Sequence, residues 1–576
     1  MTAPTSPVRI GNASGFYGDR FAAVREMLEG GELDYLTGDY LAELTMLILG
    51  RDKMKHPDRG YASTFLRQMR ENLAVAHERG VRIVTNAGGL NPAGLAEQIR
   101  SLADELGIDV RVAHVDGDDL VDRAGDLGLG TPLTANAYLG GFGIAAALDA
   151  GADVVVTGRV TDASLVVGPA VHHFGWAPTD LDPLAGAVVA GHVIECGTQA
   201  TGGNYAFFGE IADLTHPGFP LAEVAADGSS VITKHAGTGG AVTVGTVTAQ
   251  LLYEIGGPRY LGPDVTTRMD SVRLEQVGAD RVAISGVRGE APPTTTKVSL
   301  NFLAGFRNEV TMILTGLDID DKAALAREQF ESSLPTKPDS ITWELSRLDR
   351  PDAPTEAQAS ALLRVVGRSR EPEPVGRGFS AAAVELALAS YPGFSLTAPP
   401  AAGTPFGVFE PGHVDADLVH HRVTQPDGTV VTVPPSPVRG DLPALDPDPA
   451  PGGRDWGPTV RAPLGHVAGA RSGDKGGSAN IGVWVRDEEQ FDWLDATLTV
   501  DALRELLPET SDLTVTRHRL PNLLAVNFVI EGILGRGVAD NVRFDPQAKG
   551  LGEWLRSRVV DIPVAFGAHT GTEDTV

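Results

Sequence analysis

Between Val8 and about Phe174 a short apolar run, a turn rich in Gly, Asn or Asp, and an amphipathic stretch recur in that order. This alternation constrains the fold more than any other feature, because strands and helices in strict succession build a parallel sheet with right-handed crossovers. Strands are predicted at 8–10, 33–36, 82–85, 110–115 and 153–156. The expected class is α/β, with a mostly parallel, doubly wound sheet and an α/β barrel as the alternative. Of the helices, the one after residue 91 is best specified. Asn91 suits the N-cap, Pro92 the first turn, Leu95, Ile99, Leu102 and Leu106 share a face, and Gly107 closes it. Asp19 and Asp162 are read as caps of the helices that follow them.

A chain of 576 residues is too long for one core. Beyond Gly202 the texture changes to β-like runs at 241–247, 297–302 and 310–314, with a helix near 321–330, which reads as an α+β elaboration. Pro, Asp and Gly crowd into 434–458, the composition of a linker. After it a strand (479–485), a broken helix (491–507), two strands (513–519, 523–530) and a helix (551–559) give a ferredoxin-like βαββα order. The expected division is therefore 1–433 (core 1–205, elaboration 206–433), linker 434–459, and a smaller α+β domain 460–576.

Composition narrows the function classes. A formal charge of -28 repels phosphate backbones and anionic lipid, and no apolar run approaches bilayer length, so neither nucleic acid nor membrane is an expected partner. Residues 1–7 carry no signal pattern, which makes the cytoplasm the expected compartment. The single cysteine, Cys196, excludes an internal disulfide. No His or carboxylate spacing marks a metal site, the loop 234–240 is not a Walker A loop, and Gly11-x-x-x-Gly15 is not a dinucleotide fingerprint. No NAD, ATP or metal is expected.

If the strands run parallel, the turns behind them converge on one edge of the sheet, where α/β proteins place their ligands. Those turns carry Asn12, Gly15 and Asp19, then Asp39 and Glu43, then Asn86, Gly88, Gly89 and Asn91, then Arg159 and Asp162. Turns and caps call for Asn, Asp and Gly whatever the function. They do not call for a guanidinium, which makes Arg159 the candidate clamp for a carboxylate or phosphate, the plain alternative being an ion pair with Asp162 or Asp39. The stretch His192 to Asn204 offers Glu195 as an acid/base group and Cys196 either as a nucleophile paired with His192 or as a small buried hydrophobe. Lys234 with Gly237, Thr238 and Gly239 can meet a phosphate-bearing group. Arg471 and Lys475, among the small residues of 470–480, can form an anion-binding nest ahead of the last domain's first strand or dock that domain. The expected catalytic set is Arg159, Glu195, Asp39, Asp162 and Cys196.

Several strings are long enough to be specific: Gly-Phe-Tyr-Gly-Asp at 15–19, Asp-Tyr-Leu-Ala-Glu-Leu-Thr at 39–45, Thr-Asn-Ala-Gly-Gly at 85–89, Thr-Gly-Arg-Val-Thr-Asp-Ala-Ser at 157–164, and Ile-Glu-Cys-Gly at 194–197. With His-x-Gly-Thr-Gly-Gly at 235–240 they resemble the acyclic terpene utilisation protein A (AtuA-like) family, and Ser-Gly-Asp-Lys-Gly at 472–476 resembles the ferredoxin-fold domain often fused behind it. The resemblance implies a place in the breakdown of acyclic terpenoids or branched-chain acids, a pathway of acyl-CoA thioesters. It carries over no catalytic residues. The expected function is a hydratase or lyase acting on an acyl-CoA, with coenzyme A present only as part of the substrate and the chain in a homo-oligomer. The alternative is a noncatalytic subunit or assembly partner of an acyl-CoA carboxylase system.

Overall fold

The computed structural model describes residues 6–445 and 454–567. Residues 1–5 of the N-terminal segment and 446–453 of the predicted linker lie outside them. Contact density divides the chain into two compact units. One comprises residues 1–301, 409–538 and 547–576, the other 302–408 and 539–546.

The larger unit holds an eleven-stranded sheet. Its centre is formed by β1 (Val8–Asn12), β2 (Tyr35–Gly38), β3 (Arg82–Thr85), β4 (Val112–Asp116) and β6 (Val154–Thr157), while β5 (Thr134–Ala137) belongs elsewhere. The central order is β1-β2-β3-β6-β4, every pairing parallel. These strands are buried almost throughout, as runs such as Val154-Val155-Val156 require when both faces are covered. The chain steps from β1 to β3, passes over one position to β4, then returns to insert β6 between them. That reversal lies at the carboxyl ends of β3, β6 and β4.

The expectation of a mostly parallel sheet holds only for this centre. β7 (Pro220–Val224) and β8 (Ser230–Lys234) extend it antiparallel beside β1, followed by Arg281–Ser285 and Arg273–Gly278, and the other edge adds His421–Thr424 and Val430–Val433. The added strands arrive as hairpins, whose short connections enforce antiparallel pairing. β5 pairs instead with residues 298–301 in a second sheet. The β-like run 241–247 is another departure. Thr243 and Thr246 close a reciprocal capping box there and start the helix Val244–Leu251.

Asn91 caps the helix Pro92–Leu106 by accepting the Gly94 N–H at 2.9 Å, and Gly107 ends it at φ 67°. The two aspartates expected as caps do other work. Asp19 accepts the Gly15 N–H at 2.7 Å, ahead of a helix that begins at Ala23, and Asp162 is not the cap of Ser164–Phe174. Among the described residues no helix is long and apolar enough to cross a membrane.

The C-terminal part of the larger unit has a four-stranded antiparallel sheet, ordered Gly469–Lys475, Ser478–Trp484, Ala525–Ile530, Val515–Leu520, with helices Glu488–Thr497, Val500–Leu506 and Leu551–Ser557. Residues 469–475 are thus a strand rather than a nest. Their backbone is committed to a ladder with 478–484, in which Arg471 faces Gly482 and Lys475 faces Ser478. The smaller unit packs the helices Ile319–Ser333 and Arg377–Glu385 on an antiparallel sheet around Phe330, Phe379 and Leu363.

Candidate active site

The turn after β6 carries Arg159 into the interior at 2 % exposure. Its backbone N–H donates to Asp118 Oδ2 at 2.9 Å, its Nη1 donates to the Leu41 carbonyl at 2.9 Å, its Nη2 lies 3.2 Å from Asp162 Oδ1, and its guanidinium stands 4.3 Å from the Tyr138 ring centroid. Its Nε has no partner among the described residues. A buried, charged guanidinium with an unused donor is costly to keep and fit to receive an anion. Burial alone would favour its neutral form, but Asp162, Tyr138, Glu43 and Asp39 outweigh that and keep it charged.

The turn after β2 delivers Asp39. Asn86, from the turn after β3, donates Nδ2 to Asp39 Oδ1 at 2.7 Å, and the Leu41 N–H donates to the same oxygen at 3.1 Å. Burial and the neighbouring Asp162 nevertheless push the Asp39 carboxyl well above the carboxylate range. Two buried carboxyls in contact cannot both ionise. Burial raises the Asp162 carboxyl too, against the lowering pull of Arg159 and of a hydrogen bond with Asp39.

Glu43, one turn further, is the opposite case. Burial would raise it, but Lys297 and Arg159 hold it below its ordinary range, and Tyr138 Oη donates to it at 3.1 Å. Lys297 Nζ stands 3.7 Å from Glu43 Oε1 and 4.7 Å from the Tyr138 ring.

On the other flank, the helix Leu181–Ile194 ends in Glu195. Asn12 holds this turn, donating to the carbonyls of Ile194 at 2.6 Å and Glu195 at 3.0 Å. Gly15 is required beside it, since a Cβ there would sit 2.7 Å from the Cys196 carbonyl carbon. His192 Nδ1 lies 3.0 Å from Glu195 Oε1. Burial drives His192 down to about 4, and burial with Asp162 and Glu254 drives Glu195 up. Both shifts favour the uncharged form, imidazole on one side and carboxyl on the other. Glu195 Oε2 and His192 Nε2 are unpartnered among the described residues.

Protein surrounds these groups, yet several stay wet. Lys297 keeps 41 % of its side-chain exposure, Glu43 31 % and Asp162 28 %. These groups act on one another's ionisation, and we infer that they line one chamber. Beside it, at the carboxyl ends of β3 and β4, opens a cleft of about 480 Å³ lined by Gly89 to Ala93 and Asp116 to Leu120. Asp118, whose burial raises its carboxyl to about 7, belongs to both surroundings.

Residues 8–425 match the family described as acyclic terpene utilisation family protein AtuA, and residues 462–561 match the AtuA ferredoxin-like domain. The chain belongs to the AtuA family. Comparison with curated proteins and with solved structures returns no match. The family is named for acyclic terpene utilisation, a catabolic role. In this AtuA-family protein the chamber brings together Arg159, Asp162, Asp39 and Glu195 from the expected catalytic set. Asn12, Gly15 and Asn86, expected to bind substrate, instead hold the carboxyl-bearing turns in place.

Cys196 follows Glu195, but burial keeps its thiol protonated, far from the thiolate a nucleophile needs. Gly88 is a packing position, where a Cβ would meet the Thr157 carbonyl at 2.4 Å, and the Gly89 N–H is spent on the Asn86 carbonyl at 3.1 Å. Lys234 is occupied elsewhere, donating to the Thr238 carbonyl at 2.6 Å and pairing with Asp280 at 3.1 Å. Gly237, Thr238 and Gly239 lie in that same loop, with Thr238 Oγ1 donating to the His235 carbonyl and Gly239 packed against His216. Arg471 donates to Gln199 Oε1 and stands over the Tyr253 ring, while Lys475 donates to the Glu254 carbonyl at 3.0 Å. Sequence reasoning misses Tyr138, Lys297, Glu254 and Tyr260. The one available signal is Lys297, a lone cation at the start of the β-like run 297–302.

Proposed function

We propose that the chain is an enzyme of acyclic terpenoid or branched-chain catabolism that hydrates, or cleaves a carbon–carbon bond of, an acyl thioester. The observation that carries this reading is the buried Arg159, its Nε unused, paired with Asp162 beside Asp39. Arg159 and Lys297 supply fixed positive charge where an acyl oxygen gains charge as its neighbouring carbon is protonated or deprotonated. Asp39 and Glu195, whose carboxyls burial pushes up, serve as acids, and Asp162 as the base that accepts a proton. In hydration, water oxygen bonds to the β-carbon of an unsaturated acyl group and a proton is delivered to the α-carbon. In cleavage, a β-hydroxyl loses its proton as the Cα–Cβ bond breaks, and the enolate takes up a proton.

The test is complementation of a deletion strain on an acyclic terpenoid acid, with acyl-CoA species followed by mass spectrometry. Arg159→Lys and Glu195→Gln chains that fold as wild type are expected to leave growth blocked and one acyl-CoA accumulating. Wild-type growth with both variants overturns the reading. Growth that fails only when residues 460–576 are deleted favours the assembly-partner alternative.

A further inference from the structure

The segment Leu252 to Gly257 follows the helix Val244–Leu251 and is gripped by the C-terminal sheet. Asn480 Nδ2 donates to the Leu252 carbonyl at 2.7 Å, and Asn480 Oδ1 accepts the Glu254 N–H at 3.0 Å. Lys475 Nζ donates to the Glu254 carbonyl at 3.0 Å, and Asn527 Nδ2 to the Ile255 carbonyl at 3.4 Å. Asn527 Oδ1 in turn accepts from Asn480 Nδ2 at 2.8 Å, which fixes both amides. Three side chains from three strands thus hold the backbone of Leu252, Glu254 and Ile255, in a loop that has no regular structure of its own.

What the grip imposes is a left-handed backbone at Glu254, φ 57°, a conformation a glutamate avoids unless its surroundings enforce it. The Glu254 side chain packs against Gly473 of the C-terminal sheet, where a Cβ would stand 3.0 Å from its Cγ, and its charge acts on Glu195, His192 and Tyr260. Tyr253, whose hydroxyl receives a hydrogen bond from Lys549 Nζ at 2.7 Å, donates to the Glu254 carboxylate.

The geometry points to Glu254 as a further catalytic acid/base group of the chamber, with Asn480, Asn527 and Lys475 of the ferredoxin-like domain as its positioning residues. The C-terminal domain is on this account half of the active site and not an appended docking module. The inference rests on the chamber being the reaction site and adds a group that can exchange a proton near neutrality. Its carboxyl is raised to about 7 by burial and by Asp474, against the lowering influence of Tyr253 and Lys549, and Glu43 adds to the rise.

Two measurements on full-length protein test it. A carboxyl raised in the folded state makes the wild type lose stability as pH climbs from about 4.5, the unfolded value, through about 7. Glu254→Gln is neutral at every pH, so its thermal midpoint is expected to exceed wild type by a few degrees at pH 8 and to converge with it below about pH 5, while complementation is lost. Asn480→Ala is expected to weaken growth and to shrink the wild-type difference between pH 5 and pH 8; a merely structural role would lower the midpoint equally at both. If Glu254→Gln does not fold, Glu254→Asp, which keeps the charge and withdraws it, is expected to fold and to fail in growth. Wild-type growth with whichever of the two folds, or a pH-independent midpoint difference, overturns the proposal. Growth with Glu254→Gln but not with Asp39→Asn removes Glu254 alone, whereas growth with both removes the reading beneath it.

Discussion

Asp39 shows at the scale of one residue how function and stability pull apart. Its carboxyl is satisfied by Asn86 and Leu41, yet it is kept protonated by burial and by Asp162. Asparagine can accept the same two bonds and donate to Asp162, so Asp39→Asn loses the ionisation and little else. A raised carboxyl costs stability above its unfolded pKa of about 3.9 and nothing below it. Asp39→Asn is therefore expected to melt a few degrees higher than wild type at pH 7.5 and identically near pH 3, while turnover falls on the order of 100-fold or more. Calorimetry across that pH range checks the sign; a lower midpoint at pH 7.5 would show that the carboxyl is ionised and well paired. Arg159 is the converse case. Removing it would strand Asp162 and Glu43 without their cation, a change that costs about 3–5 kcal/mol at buried pairs.

At the scale of elements, the site depends on turns packed backbone to backbone. The Gly88 turn after β3 lies against the end of β6, so close that a methyl group on Gly88 would stand 2.4 Å from the Thr157 carbonyl oxygen. Gly88→Ala must push β6 and Arg159 aside, at a cost of about 1–3 kcal/mol in urea unfolding; an unchanged midpoint would mean the turn has room the geometry denies it. Periodicity makes the five central strands and the helix Pro92–Leu106 legible, because a residue's burial there is set by near neighbours in sequence. It fails for β5 and for His421–Thr424, whose partners lie far along the chain, and for Val244–Leu251, where the Thr243 and Thr246 cap decides against an apolar run. The site divides the same way. Arg159 stands out because no turn requires a guanidinium. Glu254 gives no sign, since its conformation is imposed by Asn480, 226 residues later.

For the whole molecule two consequences follow. The charge of -28 is spread over one chain, so self-repulsion opposes the compact state until salt screens it. The thermal midpoint is expected to rise between about 10 mM and about 150 mM NaCl, where the Debye length falls from roughly 30 Å to roughly 8 Å; a fall would mean that attractive surface pairs dominate. The larger unit also takes in parts of both regions that the family comparison separates, 8–425 and 462–561. Within it, carboxyls from distant turns, Asp39, Glu195 and Glu254, are held to work in one chamber. The most direct measurement is the acyl-CoA profile of a deletion strain carrying each of Asp39→Asn, Glu195→Gln and Glu254→Gln. The same single species should accumulate in all three and in the deletion itself. Different species in each, or none with growth restored, would contradict a shared site.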